Sequence, residues 1–270
     1  MKLCIAGKNQ IAVNATKHVI NEKYISKHKL YVCCNKNDDG IDRWQPSLKL
    51  YAQKNNIPIY ELENIYKFDD LIFISLEYDR IIQPSKFKSK KLFNIHFSFL
   101  PAYKGMFTSI YPLLNGDNFS GVTLHKIDDG IDTGDIIDQI KFSLELNETA
   151  RGLYFKYLKY GEELFQRNIK SIIEDKITST PQNYLGSSYF SKKELDFNSI
   201  EINLNKTSFQ IHNQIRAFIF EEYQLPLIAG KKITKSILTG EKIEKKFFEI
   251  RNKEIVLSGI DGYKIILSIL

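Results

Sequence analysis

The amino-acid sequence predicts an α/β protein, with a Rossmann-like domain built on a mostly parallel sheet followed by a small C-terminal region rich in β-hairpins. Short continuous apolar runs alternate with stretches of helical periodicity in the first half of the chain. Such runs are typical of parallel strands that are buried on both faces. The end of the chain instead carries apolar runs joined by turn-forming residue pairs. We therefore expect a first domain over residues 1–180 and a β-rich region over residues 181–270.

Four apolar runs predict the strands of the parallel sheet, and the stretches between them predict its helices. Ile11, Ala15 and Val19 recur at helical spacing after the first run. A second helix is expected near Pro46, and a third is expected to start near Thr108. The predicted strands are Leu3–Ala6, Leu30–Cys34, Leu71–Leu76 and Leu92–His96.

Beyond Gly121 the pattern changes to β-rich segments, one long helix and a polar stretch before the hairpins. An apolar stripe predicts the long helix from Thr149 to about Asp175, ended by Thr180-Pro181. The turn pairs Asn252-Lys253 and Asp261-Gly262 predict the hairpins. The further predicted elements are strands Val122–His125, Ile136–Phe142, Phe247–Ile250, Ile255–Leu257 and Tyr263–Leu270, and a short helix over Ser208–Phe218.

Composition excludes several classes of protein. With 43% hydrophobic and 26% charged residues, the 270-residue chain can bury a core, so it is neither disordered nor collagen-like. No apolar run approaches the roughly 20 residues that a membrane span needs. Three cysteines form no disulfide framework, which indicates a reducing cytoplasm. The net charge of +6 favours an anionic partner without choosing among RNA, a nucleotide and a membrane surface.

Several common site motifs are missing from the sequence. The first predicted strand is followed by Gly7-Lys8-Asn9-Gln10-Ile11-Ala12 in place of G-x-G-x-x-G, so a nicotinamide site loses support. The chain has no P-loop and no H-E-x-x-H motif, and its cysteines lack the paired spacing of a zinc site. We expect no metal.

Asn94 and His96 stand at the carboxyl end of a predicted parallel strand, where open α/β sheets bind ligands. Strand alternation places both side chains on one side of the sheet. A carboxamide can donate to a developing oxyanion, and histidine moves protons near neutral pH. The alternative is a capped strand end with a hydrogen-bonded histidine.

The segment from His125 to Asp135 is the densest polar feature, with four aspartates in its last eight residues. A calcium loop is disfavoured because the ligand order of an EF-hand is absent. A solvated turn is the other simple explanation. Because the loop follows Asn94 and His96 in the same domain, one of its carboxylates could orient His96. Asn, His and Asp would then form a proton-handling group.

These residues occur in an order that resembles the folate-dependent formyltransferases. The matching motifs are Asn94-x-His96, Ser98-Phe99-Leu100-Pro101, Lys104-Gly105, Gly121-Val122-Thr123-x-His125 and Asp128-x-Gly130-x-Asp132-Thr133-Gly134-Asp135. The resemblance implies formyl transfer from 10-formyltetrahydrofolate to an amine, with Asn94, His96 and Asp132 as catalytic residues. It further implies folate binding by Ser75, Leu76, Tyr78, Arg80, Ile81, Ile82, Ile127, Asp128, Asp129, Gly130 and Ile131.

The resemblance extends to bacterial sugar N-formyltransferases at Ala6–Ala12, Trp44–Ser47, Ile215–Phe218 and Tyr223–Pro226. It implies a dTDP-linked 4-amino-4,6-dideoxyhexose or 3-amino-3,6-dideoxyhexose as acceptor, formylated for a surface glycan such as O-antigen, capsule or lipooligosaccharide. Arg216 is suited to bind a diphosphate, and the alternative is that it is only a surface charge. Phe218 is suited to stack on a base, and the alternative is that it packs in the core. The predicted substrate-binding residues are Asn9, Trp44, Glu77, Tyr103, Lys104, Gly105, Met106, Arg216, Phe218 and Tyr223.

Two other functions stay open at this stage. Methionyl-tRNA formyltransferases typically carry R-G-A-A-P where this chain has Lys104-Gly105-Met106-Phe107-Thr108. A basic RNA-binding module on a decayed transferase scaffold is the non-enzymatic alternative, and it predicts salt-sensitive RNA binding without turnover. Under the sugar hypothesis we expect neither a nucleic acid nor a membrane as partner. The apolar hairpin strands indicate a homodimer through the C-terminal region.

Overall fold

The computed structural model describes residues 1–198 and 200–270 and confirms the predicted α/β architecture. The helices are α1 (Asn9–Asn21), α2 (Leu48–Lys54), α3 (Leu62–Ile65), α4 (Tyr111–Asn115), α5 (Ala150–Ile173) and α6 (Ser208–Ala217). The strands are β1 (Lys2–Gly7), β2 (Leu30–Cys34), β3 (Leu71–Leu76), β4 (Lys91–His96), β5 (Lys104–Gly105), β6 (Phe119–Lys126), β7 (Ile136–Ser143), β8 (Tyr189–Phe190), β9 (Leu227–Ile228), β10 (Lys231–Lys242), β11 (Phe248–Arg251), β12 (Glu254–Ser258) and β13 (Tyr263–Ile269).

Six strands form the main sheet, in the order β2-β1-β3-β4-β6-β7. The first four strands of this order run parallel, whereas β6 is antiparallel to β4. Every residue of β3 is buried, as its continuous apolar run predicts for a strand covered on both faces. From β1 the chain crosses first to β2 on one side and then to β3 on the other. The carboxyl ends of β1 and β3 therefore form the topological switch point, where α/β sheets bind ligands.

Gly7 ends β1 at this switch point because no other residue fits there. A Cβ atom at Gly7 would lie 1.8 Å from the carbonyl oxygen of Leu76 on the neighbouring strand β3. The close approach lets the Lys8 amide donate to the same Leu76 oxygen over 3.3 Å. The two strand ends are thus held together immediately before α1 begins.

Two compact units divide the chain. The first unit comprises Met1–Lys104, Gly121–Lys141 and Tyr157–Tyr189, and the second comprises Gly105–Ser120, Phe142–Lys156 and Phe190–Leu270. The chain leaves the first unit for the last time at Tyr189, and the division at residue 180 stays a prediction. The second unit also takes in two earlier segments that the sequence pattern did not assign to it. In the part of the chain that the structure describes, no helix has the length and hydrophobicity needed to cross a membrane.

The second unit contains a five-stranded sheet in the order β11-β12-β13-β10-β9, with α6 packed on β10 and β13. Ile211 and Ile215 of α6 lie in one buried cluster with strand residues such as Ile255 and Leu267. A capping box between Thr207 and Gln210 starts α6. The predicted turn pairs Asn252-Lys253 and Asp261-Gly262 lie between β11 and β12 and between β12 and β13. The 12-residue strand β10 was not predicted.

His212 of α6 is fully buried and bonded at both ring nitrogens. Its Nε2 donates to the Leu146 carbonyl oxygen over 2.8 Å, and its Nδ1 accepts from the Ser236 hydroxyl over 2.8 Å. Burial, with a smaller contribution from the Arg216 charge, lowers the pKa of His212 to about 4. The folded protein therefore holds this imidazole in its neutral form.

We expect this histidine to make the protein less stable in weak acid. In the unfolded chain its pKa returns to about 6.5, so between pH 6.5 and 4 unfolding takes up one proton. The free energy of unfolding therefore falls by about 1.4 kcal/mol for each pH unit in this window and is unaffected by this group above it. Urea unfolding at pH 7 and at pH 5 measures the free energy of unfolding at each pH. Between these two values it should fall less for His212→Gln than for the wild-type protein. The control is His28→Gln, at an exposed histidine, for which the free energy of unfolding should fall as much as it does for the wild-type protein.

Candidate active site

β4 carries Asn94 and His96 to the carboxyl edge of the sheet, as predicted. His96 is buried, and its Nε2 contacts the carbonyl oxygen of Tyr103 over 2.8 Å. Because a carbonyl oxygen can only accept, Nε2 carries a hydrogen. The second ring nitrogen, Nδ1, therefore turns toward the loop that follows β6.

That loop presents Asp132 to both side chains. One carboxylate oxygen lies 3.5 Å from Nδ1 of His96, and the other accepts from Nδ2 of Asn94 over 3.3 Å. Asp132 has a left-handed backbone with a φ of 55°, a conformation that Asp and Asn tolerate better than most residues. The three side chains named from the sequence thus meet at one point.

His125 joins this group, although it was not among the predicted catalytic residues. It lies directly opposite Asn94 in the antiparallel register of β4 and β6. Its Nδ1 donates to the Lys126 carbonyl oxygen over 2.7 Å, so Nε2 is the acceptor for Nδ2 of Asn94 at 3.1 Å. His125 and Asp132 therefore fix which end of the Asn94 amide faces them. This contact depends on the antiparallel register of β4 and β6, so the sequence pattern carries no signal for it.

The remaining aspartates of the loop shape its backbone or lie at its surface. Asp128 accepts from the Gly130 amide over 3.1 Å and from the Thr133 hydroxyl over 2.6 Å, which forms a tight turn. Asp135 contacts Lys126 and accepts from the Ser179 hydroxyl. Asp129 is exposed. Within residues 1–198 and 200–270, no cluster of three or more His, Cys, Asp or Glu side chains could hold a metal ion.

The predicted folate-binding residues lie on β3, after β3 and in the loop after β6. Ser75 and Leu76 are buried in the strand, and the Tyr78 hydroxyl contacts Sγ of Cys33 at 3.1 Å. Arg80 forms an ion pair with Glu63, which raises the pKa of Arg80. By contrast, Ile81 is 72% exposed. Ile82 and Ile127 pack against the core beside β3, and Ile131 is exposed in the same loop as Asp128, Asp129 and Gly130.

Asn9 and Glu77 face each other across the switch point between β1 and β3. Nδ2 of Asn9 donates to the Glu77 carboxylate over 3.2 Å. Both residues have left-handed backbones, with φ of 61° and 56°. The next loop also reaches this point, because Oε1 of Gln45 accepts from the Gln10 amide over 3.0 Å at the start of α1. Trp44, beside Gln45, is exposed.

The other predicted substrate residues fall in both units. Tyr103 and Lys104 belong to the first unit, where the Lys104 ammonium donates to the Ser187 hydroxyl over 2.9 Å. Gly105 and the exposed Met106 belong to the second unit.

Arg216 and Phe218 are buried in the second unit, which argues against direct contact with a ligand. Arg216 is 2% exposed, and its guanidinium donates to Oδ1 of Asn213 and to the carbonyl oxygens of Glu145 and Glu148. Burial lowers the pKa of Arg216 to about 10. Arg216 therefore supports the loop that precedes α5 and is not placed as a diphosphate ligand. Tyr223 is 60% exposed and stays a prediction for stacking.

An Asn-His-Asp group at the carboxyl edge of an α/β sheet fits an enzyme of the acyl-transfer class. Residues 26–169 match the model of the formyl transferase family, so the chain belongs to that family. The predicted membership is confirmed.

Two solved structures are similar to this chain over its whole length. The N-formyltransferase from Helicobacter canadensis, determined with folinic acid and dTDP-3-aminofucose, is 54% identical, with a TM-score of 0.97 and complete coverage of both chains. WlaRD, a sugar 3N-formyl transferase determined with dTDP and 5-N-formyl-THF, is also 54% identical, with a TM-score of 0.97 over 100% of this chain and 98% of that one. Methionyl-tRNA formyltransferase from Fervidobacterium nodosum is 29% identical over 81% of this chain and 71% of its own length.

Proposed function

We propose that the protein transfers the formyl group of 10-formyltetrahydrofolate to the 3-amino group of a dTDP-linked 3-amino-3,6-dideoxyhexose. The similarity to two sugar N-formyltransferases carries this proposal, because it extends through the C-terminal region as well as the catalytic domain. Both were determined with dTDP or a dTDP-linked 3-aminosugar. A 4-N formyltransferase from Francisella tularensis is 23% identical and supports only the fold. The 3-amino position is therefore favoured over the 4-amino position.

A charged initiator tRNA is supported less well as the acceptor. The tRNA-modifying relative from Fervidobacterium nodosum shares about half as much identity as the sugar-modifying structures and matches only part of the chain. The segment Lys104-Gly105-Met106-Phe107-Thr108 also departs from the R-G-A-A-P of tRNA formyltransferases.

The catalytic group has the chemistry that formyl transfer requires. The reaction forms a bond between the sugar amine nitrogen and the formyl carbon, and it breaks the bond between that carbon and the folate nitrogen. Asn94 would release its longer contact to Asp132 and donate that hydrogen to the oxyanion, while His125 keeps the other hydrogen in place. His96 and Asp132 would carry the amine proton toward the folate nitrogen. No covalent enzyme intermediate is needed.

The surroundings of the catalytic group fit the two substrates. Exposed apolar side chains at Ile81 and Ile131 offer a surface for the pterin of the folate. Asn9, Glu77 and Trp44 at the switch point offer polar and aromatic groups for the sugar nucleotide. The anionic folate and diphosphate also account for the mildly basic composition without a nucleic acid.

The test is formylation of defined acceptors, followed by mass spectrometry of the products. We expect one added formyl group on a dTDP-linked 3-amino-3,6-dideoxyhexose, with a lower kcat/KM for the 4-amino isomer. A higher kcat/KM for the 4-amino isomer would contradict the 3-amino assignment. Formylation of charged initiator tRNA with no product from any nucleotide amino sugar would overturn the proposal as a whole.

We further propose a homodimer through strand β11, which lies at the edge of the five-stranded sheet. Phe248 and Ile250 are 43% and 47% exposed, although their register partners Leu257 and Ile255 on β12 are buried. A two-fold axis at Ile250 would pair Glu249 with the partner subunit's Arg251 and join two apolar edges. Light scattering at micromolar concentration should give the mass of two chains, and a monomer would contradict this interface.

The same function sets the expected compartment and pathway. We propose that the enzyme acts in the cytoplasm, which the three free cysteines support. Its product would serve the synthesis of a surface glycan.

A further inference from the structure

A polar segment after α5 contacts both loops that hold the catalytic side chains. We call this segment, residues 179–188, the strap. One of the two loops is residues 101–104, the Tyr103 loop, and the other is residues 127–135, the acidic loop. The strap and both loops belong to the first compact unit.

At the acidic loop, the contact is made by the side chain of Gln182. Its Nε2 donates to the carbonyl oxygen of Asp132 over 2.8 Å and to that of Gly134 over 2.8 Å. Its Oε1 is buried and has no partner among the described residues. Turning the amide over would place Oε1 against two carbonyl oxygens, so the side chain can serve this loop only as a double donor. An unpaired buried oxygen is a cost that the two donated bonds must offset.

At the Tyr103 loop, Ser188 makes three hydrogen bonds. The Tyr103 amide donates to Oγ of Ser188 over 2.8 Å, and the Lys104 amide donates to its carbonyl oxygen over 2.9 Å. The Ser188 amide in turn donates to the Pro101 carbonyl oxygen over 3.3 Å. These bonds fix the peptide group whose oxygen accepts from His96.

His96 lies between the two loops that the strap joins. Its Nε2 donates to Tyr103 over 2.8 Å, and its Nδ1 faces Asp132 at 3.5 Å. Tyr103 and Asp132 both have left-handed backbones, with φ of 60° and 55°. Such conformations persist only where surrounding contacts enforce them. The strap supplies contacts of this kind at both residues.

We propose that Gln182 and Ser188 are positioning residues, which set the geometry between His96 and Asp132 by holding the two loops at fixed positions. The proposal rests on the formyl transfer proposed above. Neither side chain needs to touch a substrate, so the loss should appear in kcat and not in KM.

The kinetic test compares Gln182→Leu, Gln182→Glu and Ser188→Ala with the wild-type protein. A displacement of about 1 Å in a catalytic group costs up to about 100-fold in rate, so we expect kcat to fall about 10- to 100-fold with KM for both substrates within about threefold. Gln182→Glu keeps the size of the side chain but sets a carboxylate against two carbonyl oxygens. The kcat of Gln182→Glu should therefore fall at least as far as that of Gln182→Leu. Gln166→Leu, at an exposed glutamine of α5, is the matched control.

Hydrogen exchange measured without substrates provides a second readout. The Tyr103 amide loses its acceptor in Ser188→Ala and should exchange faster there, and amides of residues 132–135 should exchange faster in Gln182→Leu. If Gln182→Glu and Ser188→Ala both keep wild-type kcat and exchange, the proposal is wrong. A raised KM with an unchanged kcat would also overturn it, since the two side chains would then affect substrate binding and not the geometry between His96 and Asp132. A wrong acceptor assignment shows itself differently, as no sugar formylation by the wild-type protein, and leaves the exchange result intact.

Discussion

Replacement of Asp132 by asparagine is expected to reduce kcat by about 10²- to 10⁴-fold, the usual contribution of a positioned proton-transfer group. The substitution removes the charge that faces Nδ1 of His96 at 3.5 Å and sets an amide against Asn94 or His96. Asparagine tolerates a left-handed backbone nearly as well as aspartate, so the loop should keep its conformation. Steady-state kinetics with the sugar acceptor, together with a thermal unfolding curve, measure the two effects separately.

Asp175→Asn is the matched control for this variant. Asp175 also has a left-handed backbone, with a φ of 58°, but it pairs with Lys91 at the start of β4, away from the catalytic edge. We expect wild-type kcat for Asp175→Asn. An Asp132→Asn enzyme with more than a tenth of the wild-type kcat would show that the carboxylate does not take part in proton transfer.

Replacement of Asn94 by alanine is expected to reduce kcat by about 10²- to 10³-fold, because it removes one donor from the oxyanion. The free energy of unfolding should fall by only about 1–3 kcal/mol, the typical cost of leaving a buried partner such as Nε2 of His125 unsatisfied. KM for the folate and the sugar should change little. Rapid-quench measurement of a single turnover separates this chemical step from product release.

Asn14→Ala is the comparison for Asn94→Ala. Asn14 is a partly buried asparagine of α1 that donates to the Glu162 carboxylate over 2.8 Å, so its loss removes a similar hydrogen bond outside the site. Equal losses of kcat in the two variants would indicate that Asn94 acts only through stability.

The sequence predicted the catalytic domain well because its strands are buried on both faces. β2 and β3 have the predicted bounds, and Asn94 and His96 follow from the strand alternation of β4. Asp132 required the family resemblance, since nothing in the loop itself distinguishes it from Asp128 or Asp129.

The contacts that were missed depend on register or on long-range packing. His125 meets Asn94 only because β6 runs antiparallel to β4, which the pattern of residues does not determine. Strand β10 escaped prediction because lysines and Gly240 interrupt its apolar alternation. Arg216 was predicted to bind a diphosphate or to carry a surface charge, but carbonyl groups far away in sequence provide it with buried acceptors. Gln182 lies in a polar stretch without periodicity, so its role emerges only from the folded chain.

Four residues at the carboxyl edge of the sheet, Asn9, Glu77, Tyr103 and Asp132, share the left-handed backbone. Each such residue costs on the order of 1–3 kcal/mol, with Asn9 and Asp132 at the low end, and glycine would recover part of this cost. Selection for heat resistance alone would therefore favour glycine at these four sites and, at Asp132, would yield a hardier but inactive protein. The side chains at these sites lower the thermal stability of the protein but serve its activity. Stabilising substitutions should therefore be sought elsewhere in the chain.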